Sequence, residues 1–232
     1  MTRSAVLLSL LLMMGCSGLD EGAGGVVALQ IQMPALQTIE VGESLTLTAL
    51  ALDKDGQPVT VEISWRAPDP TLTVDPLTGV ITGVSPGSGR VQAFSGSLSS
   101  GLESFNVIPG ADTLLIVGDS VLTVAPTETA SAPLTVQVQT FTPPGTGVAA
   151  WPVIYTITAP PDVGGPHTVE LPGAVLTDTV PTGTDGAVST VTLNRVAGIA
   201  QPDTAIVEIR ASHARGEPVP GSGQRFIVIF QH

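Results

Sequence analysis

The chain has 232 residues, 26 of them glycine and 20 proline, and a formal net charge of −12 with Lys54 as its one lysine. That density of glycine and proline excludes long helices, because proline removes a backbone donor and glycine costs backbone entropy. So few cations argue against nucleic acid as a partner and against an anionic membrane face, both of which need clustered Lys and Arg.

The first sixteen residues, "MTRSAVLLSLLLMMGC", start with a basic Arg3 and run apolar from Ala5 to Met14. Spanning a bilayer core of roughly 30 Å takes about 20 helical residues, so this run has the proportions of a signal peptide instead. Gly15 is followed at once by Cys16, the only cysteine, so no intramolecular disulfide competes for its thiol. The ending resembles the lipobox of bacterial lipoproteins, although Met13 and Met14 depart from its usual Leu-then-small pattern. The resemblance implies that residues 1–15 are a lipoprotein signal peptide and that Cys16 becomes the lipidated N-terminus. Several acyl chains at one residue are what stable anchoring requires. Residues 16–25, "CSGLDEGAGG", have the composition of a flexible tether. Ser17 after the cysteine carries no inner-membrane retention signal, so the resemblance implies the outer membrane of a Gram-negative cell.

With 43% apolar residues the chain has the material for a core, and turn residues punctuate it every few positions. That combination predicts an all-β protein. "VVALQIQM" (26–33) reads as an opening strand closed by Pro34. "ESLTLTALAL" (43–52) sets Leu45, Leu47, Ala49 and Ala51 on one face, with Thr46 and Thr48 on the other. Asp55-Gly56 signals a hairpin. "VTVEISW" (59–65) then alternates Val59, Val61, Ile63 and Trp65 as an inward set, and the tryptophan is suited to plug a two-sheet core.

The stretch "TGVITGVSPGSGRVQAF" (78–94) holds Gly79, Gly83, Gly87 and Gly89. It is not a phosphate loop: no lysine follows any of these glycines, and Gln92 stands where the dinucleotide fingerprint needs its last glycine. Both motifs also open a helix, whereas here the strand "RVQAF" follows. The glycines are read as turns, one over 76–79 and a second over 83–89.

Taken together, Val41-Gly42, Asp53-Lys54-Asp55-Gly56, Trp65, Val74-Asp75 and Gly79 to Gly87 are similar to the pattern of group 2 bacterial Ig-like domains. The resemblance covers residues 26–109 and implies a β-sandwich of about seven strands. Domains of this family occur in bacterial surface and adhesive proteins. Asp53-x-Asp55-Gly56 also looks like the start of a calcium loop, which takes about six to eight oxygen ligands and a distal Glu. Ser64 occupies that Glu position, so the triplet is read as an exposed hairpin with acidic caps.

After "PGAD" (109–112), residues 110–232 carry eight further strand-like segments. They are "LLIVG", "SVLTVAP", "PLTVQVQTF", "WPVIYTIT", "AVLTD", "GAVSTVTLN", "TAIVEIRASH" and "RFIVIF". Pro152-Val153 with Tyr155, and Thr184-Asp185-Gly186 through Leu193, resemble group 1 bacterial Ig-like domains of the invasin and intimin kind. An insertion, "PPDVGGPHTVELPG" (160–173), sets this segment apart.

Catalytic chemistry finds little support. His167, His213 and His232 fall in separate segments, and there is no H-E-x-x-H, no G-x-S-x-G and no free cysteine beside Cys16. The expectation is no enzyme, no metal and no cofactor. Trp151, Tyr155 and His167 are the residues that would make an aromatic binding surface, but aromatics are only 3% of the chain where glycan sites usually display several, which favours Tyr155 and Trp65 as core residues. The whole reads as two tandem Ig-like β-sandwiches after a lipoprotein signal peptide. The expected role is adhesion, surface organisation or assembly, with another envelope protein or a surface polysaccharide as partner. The alternative is a glycan- or peptide-binding module that uses the 160–173 insertion and neighbouring loops of the second domain.

Overall fold

The computed structural model describes residues 25–141, 145–162, 164, 166–200 and 202–232. The leader, Cys16 and the tether up to residue 24 lie outside the described residues. Among the described residues every regular element is a strand, 21 in all.

The first eleven strands are β1 (Ala28–Gln32), β2 (Thr38–Glu40), β3 (Ser44–Thr46), β4 (Thr48–Leu52), β5 (Pro58–Val59), β6 (Ser64–Arg66), β7 (Leu72–Val74), β8 (Val80–Gly83), β9 (Gly87–Ser95), β10 (Leu98–Ser99) and β11 (Glu103–Ile108). β3 and β4 are two pieces of one extended segment: β4 pairs with β1, and β3 pairs with β8, which carries β7. They form one layer, with β5 on the β4 edge. The other layer runs β10–β9–β11–β2, with β6 also on β9. β2 lies parallel to β11, so the opening of the chain closes against the last strand of the layer. β9 alternates inward Gly89, Val91, Ala93 and Ser95 with outward Ser88 and Arg90, the pattern of a half-buried strand.

The segment 59–65 differs from the single strand its alternation predicts. β5 stays with β4 while β6 joins β9, so the chain changes layer between them. Val59, Val61 and Ile63 are therefore only half-buried, and Trp65 alone enters the core. The second glycine turn is also shorter than expected, because β9 begins at Gly87, opposite Val107.

The remaining strands are β12 (Thr113–Ile116), β13 (Val121–Val124), β14 (Val136–Gln139), β15 (Pro152–Ala159), β16 (Val169–Glu170), β17 (Thr177–Pro181), β18 (Ala187–Val188), β19 (Asn194–Arg195), β20 (Thr204–Arg210) and β21 (Arg225–Phe230). One layer is β12–β14–β18, the other β13–β21–β20–β15–β17, and β16–β19 is a separate ribbon. β13 is parallel to β21, repeating the closure of the first group. No strand pairing among the described residues joins β1–β11 to β12–β21, and the buried apolar clusters divide the same way. The architecture is two immunoglobulin-like sandwiches in tandem.

Two expected strands shrink. "AVLTD" opens with Ala174 at φ 60°, in a turn closed by its N–H to Leu171 O, so β17 starts only at Thr177. In "GAVSTVTLN" the middle residues bond an irregular partner: Leu134 N–H donates to Val191 O and Ser131 N–H to Leu193 O. Only the ends of that segment form ladders, as β18 and β19.

Candidate functional site

The aromatic surface anticipated from Trp151, Tyr155 and His167 is not formed. On β15, Val153, Tyr155 and Ile157 all point inward, and Tyr155 is fully buried. Its hydroxyl donates to Leu134 O at 3.0 Å, and burial pushes the phenol above its ordinary pKa. Trp151 is buried too, with its backbone N–H on Thr182 Oγ1 at 2.9 Å. Both residues plug the second core, as large amphipathic rings do when an inward strand position meets an open layer gap. Only His167 lines a cavity, a small one of ≈ 120 Å³ among Ile157, Pro160, Pro161, Thr168 and Leu176.

The acidic turn uses its own ligands. Asp53 Oδ1 accepts the N–H groups of Asp55 at 2.9 Å and Gln57 at 2.8 Å, closing the β4–β5 hairpin. No cluster of three or more His, Cys, Asp or Glu among the described residues is placed to hold a metal ion. In the glycine-rich stretch, Asp75 Oδ1 caps Thr78 and Leu77 N–H, which holds its carboxyl below the usual range. Gly79 sits at φ 71°, and a Cβ there would stand 2.8 Å from the Trp65 ring. The turn is built of glycine so that the tryptophan can pack beneath it.

Two arrangements were not read from the sequence. The first lies between the sandwiches. β11 ends at Ile108 and β12 begins at Thr113, and beside this connector β2 presents Glu40, which is 4% exposed. Glu40 Oε1 accepts the Ala214 N–H at 2.7 Å, while Oε2 meets His213 Nδ1 at 2.8 Å and accepts the Ala111 N–H at 3.3 Å. A carboxylate only accepts, so the imidazole presents its Nδ1–H. Arg215 adds an ion pair to Glu43 and a 2.9 Å bond from Nη2 to Thr38 O. His213, Ala214 and Arg215 all belong to the β20–β21 hairpin loop, closed by Gly216 N–H on His213 O. An open cleft flanks the joint, with Asp112 and Glu217 on its walls.

The second is the outer face of the β13–β21–β20 layer. Val121 pairs with Ile227, which pairs with Ile206, and Ile229 lies two residues along the same face. Val121 is 50% exposed, Ile227 38% and Ile229 39%. Further along the face, Glu208 Oε1 accepts Arg210 Nε at 2.6 Å and Oε2 accepts Arg225 Nη2 at 3.1 Å. Those guanidiniums, Arg210 foremost, hold the Glu208 carboxyl below the usual range. One carboxylate thus serves two cations, leaving this patch positive in an acidic chain. The one signal for it was the alternation within "RFIVIF", which sets Ile227 and Ile229 on one face; only the register brings Val121 and Ile206 beside them.

These features define a class: an all-β protein of tandem Ig-like sandwiches whose chemistry-bearing groups serve the junction and the sheet faces. No family model matches the chain, and no curated protein does. Among solved structures it is similar to the adhesin InvE of Yersinia pseudotuberculosis, at 16% identity and a TM-score of 0.41. That match covers 88% of this chain, which spans 58% of the adhesin. Domains 4 and 5 of the S-layer protein SbsC match at 16% identity and a TM-score of 0.33, covering 90% of this chain and 100% of theirs. The fibronectin(III)-like modules of Clostridium thermocellum CbhA match at 14% and 0.35, covering 88% and 94%.

Proposed function

We propose that this is a lipid-anchored, non-enzymatic protein of the cell envelope that acts by contact with another envelope protein through the second sandwich. The observation that carries the reading is an aliphatic row on one sheet face, made of exposed Val121, Ile227 and Ile229 with half-buried Ile206 beside them. Contiguous apolar side chains on a sheet face mark contact surfaces more often than solvated ones. The row is aliphatic, with no aromatic ring to stack on a sugar, so the partner is a protein rather than a surface polysaccharide. In support of the anchor, the lipobox-like ending at Cys16 gives an attachment point. The outer membrane is the compartment that Ser17 favours.

Two measurements test it. Metabolic labelling with an alkyne fatty acid marks the wild-type protein and leaves a Cys16→Ser variant unlabelled; equal labelling or none in both removes the anchor. A photo-crosslinking amino acid at Ile229, activated in intact cells, recovers one envelope protein, whereas the same probe at exposed Thr73 recovers none. Adducts only to lipid, or the same adducts from both positions, remove the contact reading.

A second reading has its own support. Thr168 Oγ1 is buried without a hydrogen-bond partner beside the cavity at His167. A cavity that small takes one apolar side chain of a bound peptide, below the roughly 300–1,000 Å³ of small-molecule sites. Saturable binding of proline-rich or leucine-rich peptides, lost in Leu176→Trp, would favour it over the sheet-face contact.

A further inference from the structure

We infer that the β20–β21 hairpin loop is a latch, with Glu40 as its catch, that fixes the angle between the two sandwiches. The connector alone is Pro109 to Asp112, four residues joined to each body by one strand. Relative motion about such a single joint is the default for tandem domains. Here a second tie closes the joint from the side. Three consecutive residues of the loop reach the first sandwich: His213 and Ala214 grip Glu40, and Arg215 grips Glu43 and Thr38 O.

The connector is held by the same carboxylate, through Ala111 N–H. Glu40 therefore gathers donors from the connector and from the far loop at one buried point. Gly110 lets the connector pass closely: a Cβ there would stand 2.9 Å from Val41 O. Glu43 is oriented for its part, since its Oε2 accepts the Glu40 N–H at 2.8 Å and its Oε1 takes Arg215.

A half-open joint is costly in this arrangement. Swinging the loop away strips Glu40 of two donors at once and leaves a carboxylate with one remaining protein bond. Two charge-assisted bonds to one carboxylate are lost together when the loop leaves, so the angle is held by a paired contact rather than by independent ones. The inference concerns the joint itself and does not depend on the anchor or on the envelope partner.

The test is a distance measurement across the joint in the full chain. Cys16→Ser removes the native thiol, and Thr73→Cys with Thr177→Cys places one spin label on an exposed strand position of each sandwich. Pulsed electron–electron resonance should give one narrow distance for this parent. Glu40→Ala, and separately the loop pair His213→Ala with Arg215→Ala, should broaden it severalfold. Arg90→Ala, which removes an exposed ion pair to Asp69 within the first sandwich, should leave it narrow.

Trp65 and Trp151, one in each core, report by fluorescence that both sandwiches stay folded. Should Glu40→Ala fail to fold, the loop pair decides, since its side chains are on a surface hairpin. A broad distribution in the parent overturns the latch. So does a distribution that stays narrow in the loop pair, or one that broadens equally in Arg90→Ala.

Discussion

The two sandwiches share a closure and differ in how the core is plugged. In each, the second strand runs parallel to the last strand, β2 on β11 and β13 on β21. In the first, a tryptophan fills the gap and a turn glycine makes room for it. In the second, Tyr155 and Trp151 fill it together, and the tyrosine hydroxyl finds a backbone carbonyl. The first core is split, with Val26, Leu29 and Ala51 in a separate small cluster, whereas the second is continuous. The closure is thus the invariant frame, and the plug is whatever side chain the gap admits together with the local concession that seats it.

The largest expected effect lies at the plugs. Trp65→Ala should cost the first sandwich about 3–5 kcal/mol, the usual loss for a large buried ring. In urea titrations the first sandwich, read by amide exchange at β9, should unfold early while Trp151 fluorescence keeps its midpoint. A common shift of both would mean that the two bodies fold as one unit.

Next comes the second sandwich's own backbone concession. Gly147 crosses Asp185 and Gly186 so closely that an added methyl would overlap the Asp185 carbonyl. Gly147→Ala should lower stability by about 3 kcal/mol, an overpacking cost at a site where backbone meets backbone. Calorimetry should show only the second transition displaced.

Tyr155→Phe sharpens the contrast between the plugs. It leaves the ring and strands the Leu134 carbonyl, so a loss of about 1–2 kcal/mol is expected. A smaller change would mean that ring volume alone, as with Trp65, does the plugging.

The smallest effect is electrostatic and belongs to the first sandwich. Arg90 donates to both carboxylate oxygens of Asp69 and holds that carboxyl below its usual range. A depressed folded pKa adds stability above the unfolded value, about 3.9, which is lost as pH falls through the folded value. Melting temperature should therefore drop slightly below pH 4, and Asp69→Asn should flatten that part of the profile.

Much of the strand pattern was legible because burial here has period two. β9, β15 and β21 carry their alternation openly, and Trp65 was visible as a plug. The misreadings have local causes. Alternation does not reveal a change of layer, so 59–65 looked like one strand. Ala174 adopts a turn conformation that its residue type does not advertise.

The site was less legible. Tyr155 and Trp151 carry the same residue types whether they face a ligand or a core, and only the direction of β15 decides. Glu40 sits between Ile39 and Val41 like any polar strand residue, and its partners come from the loop 173 and 174 positions away. No local pattern encodes a meeting at that separation.

The parallel closures have a mechanical consequence. A pull along the chain draws β2 and β11 toward opposite ends, and β13 and β21 likewise. The rungs of each pair are then loaded side by side in shear, all bearing at once, instead of being unzipped one after another. Resistance to extension in both sandwiches is therefore concentrated in these short ladders. That of β13 and β21, Val121 to Val124 against Ile227 to Phe230, has one rung more than its counterpart at Thr38 to Glu40.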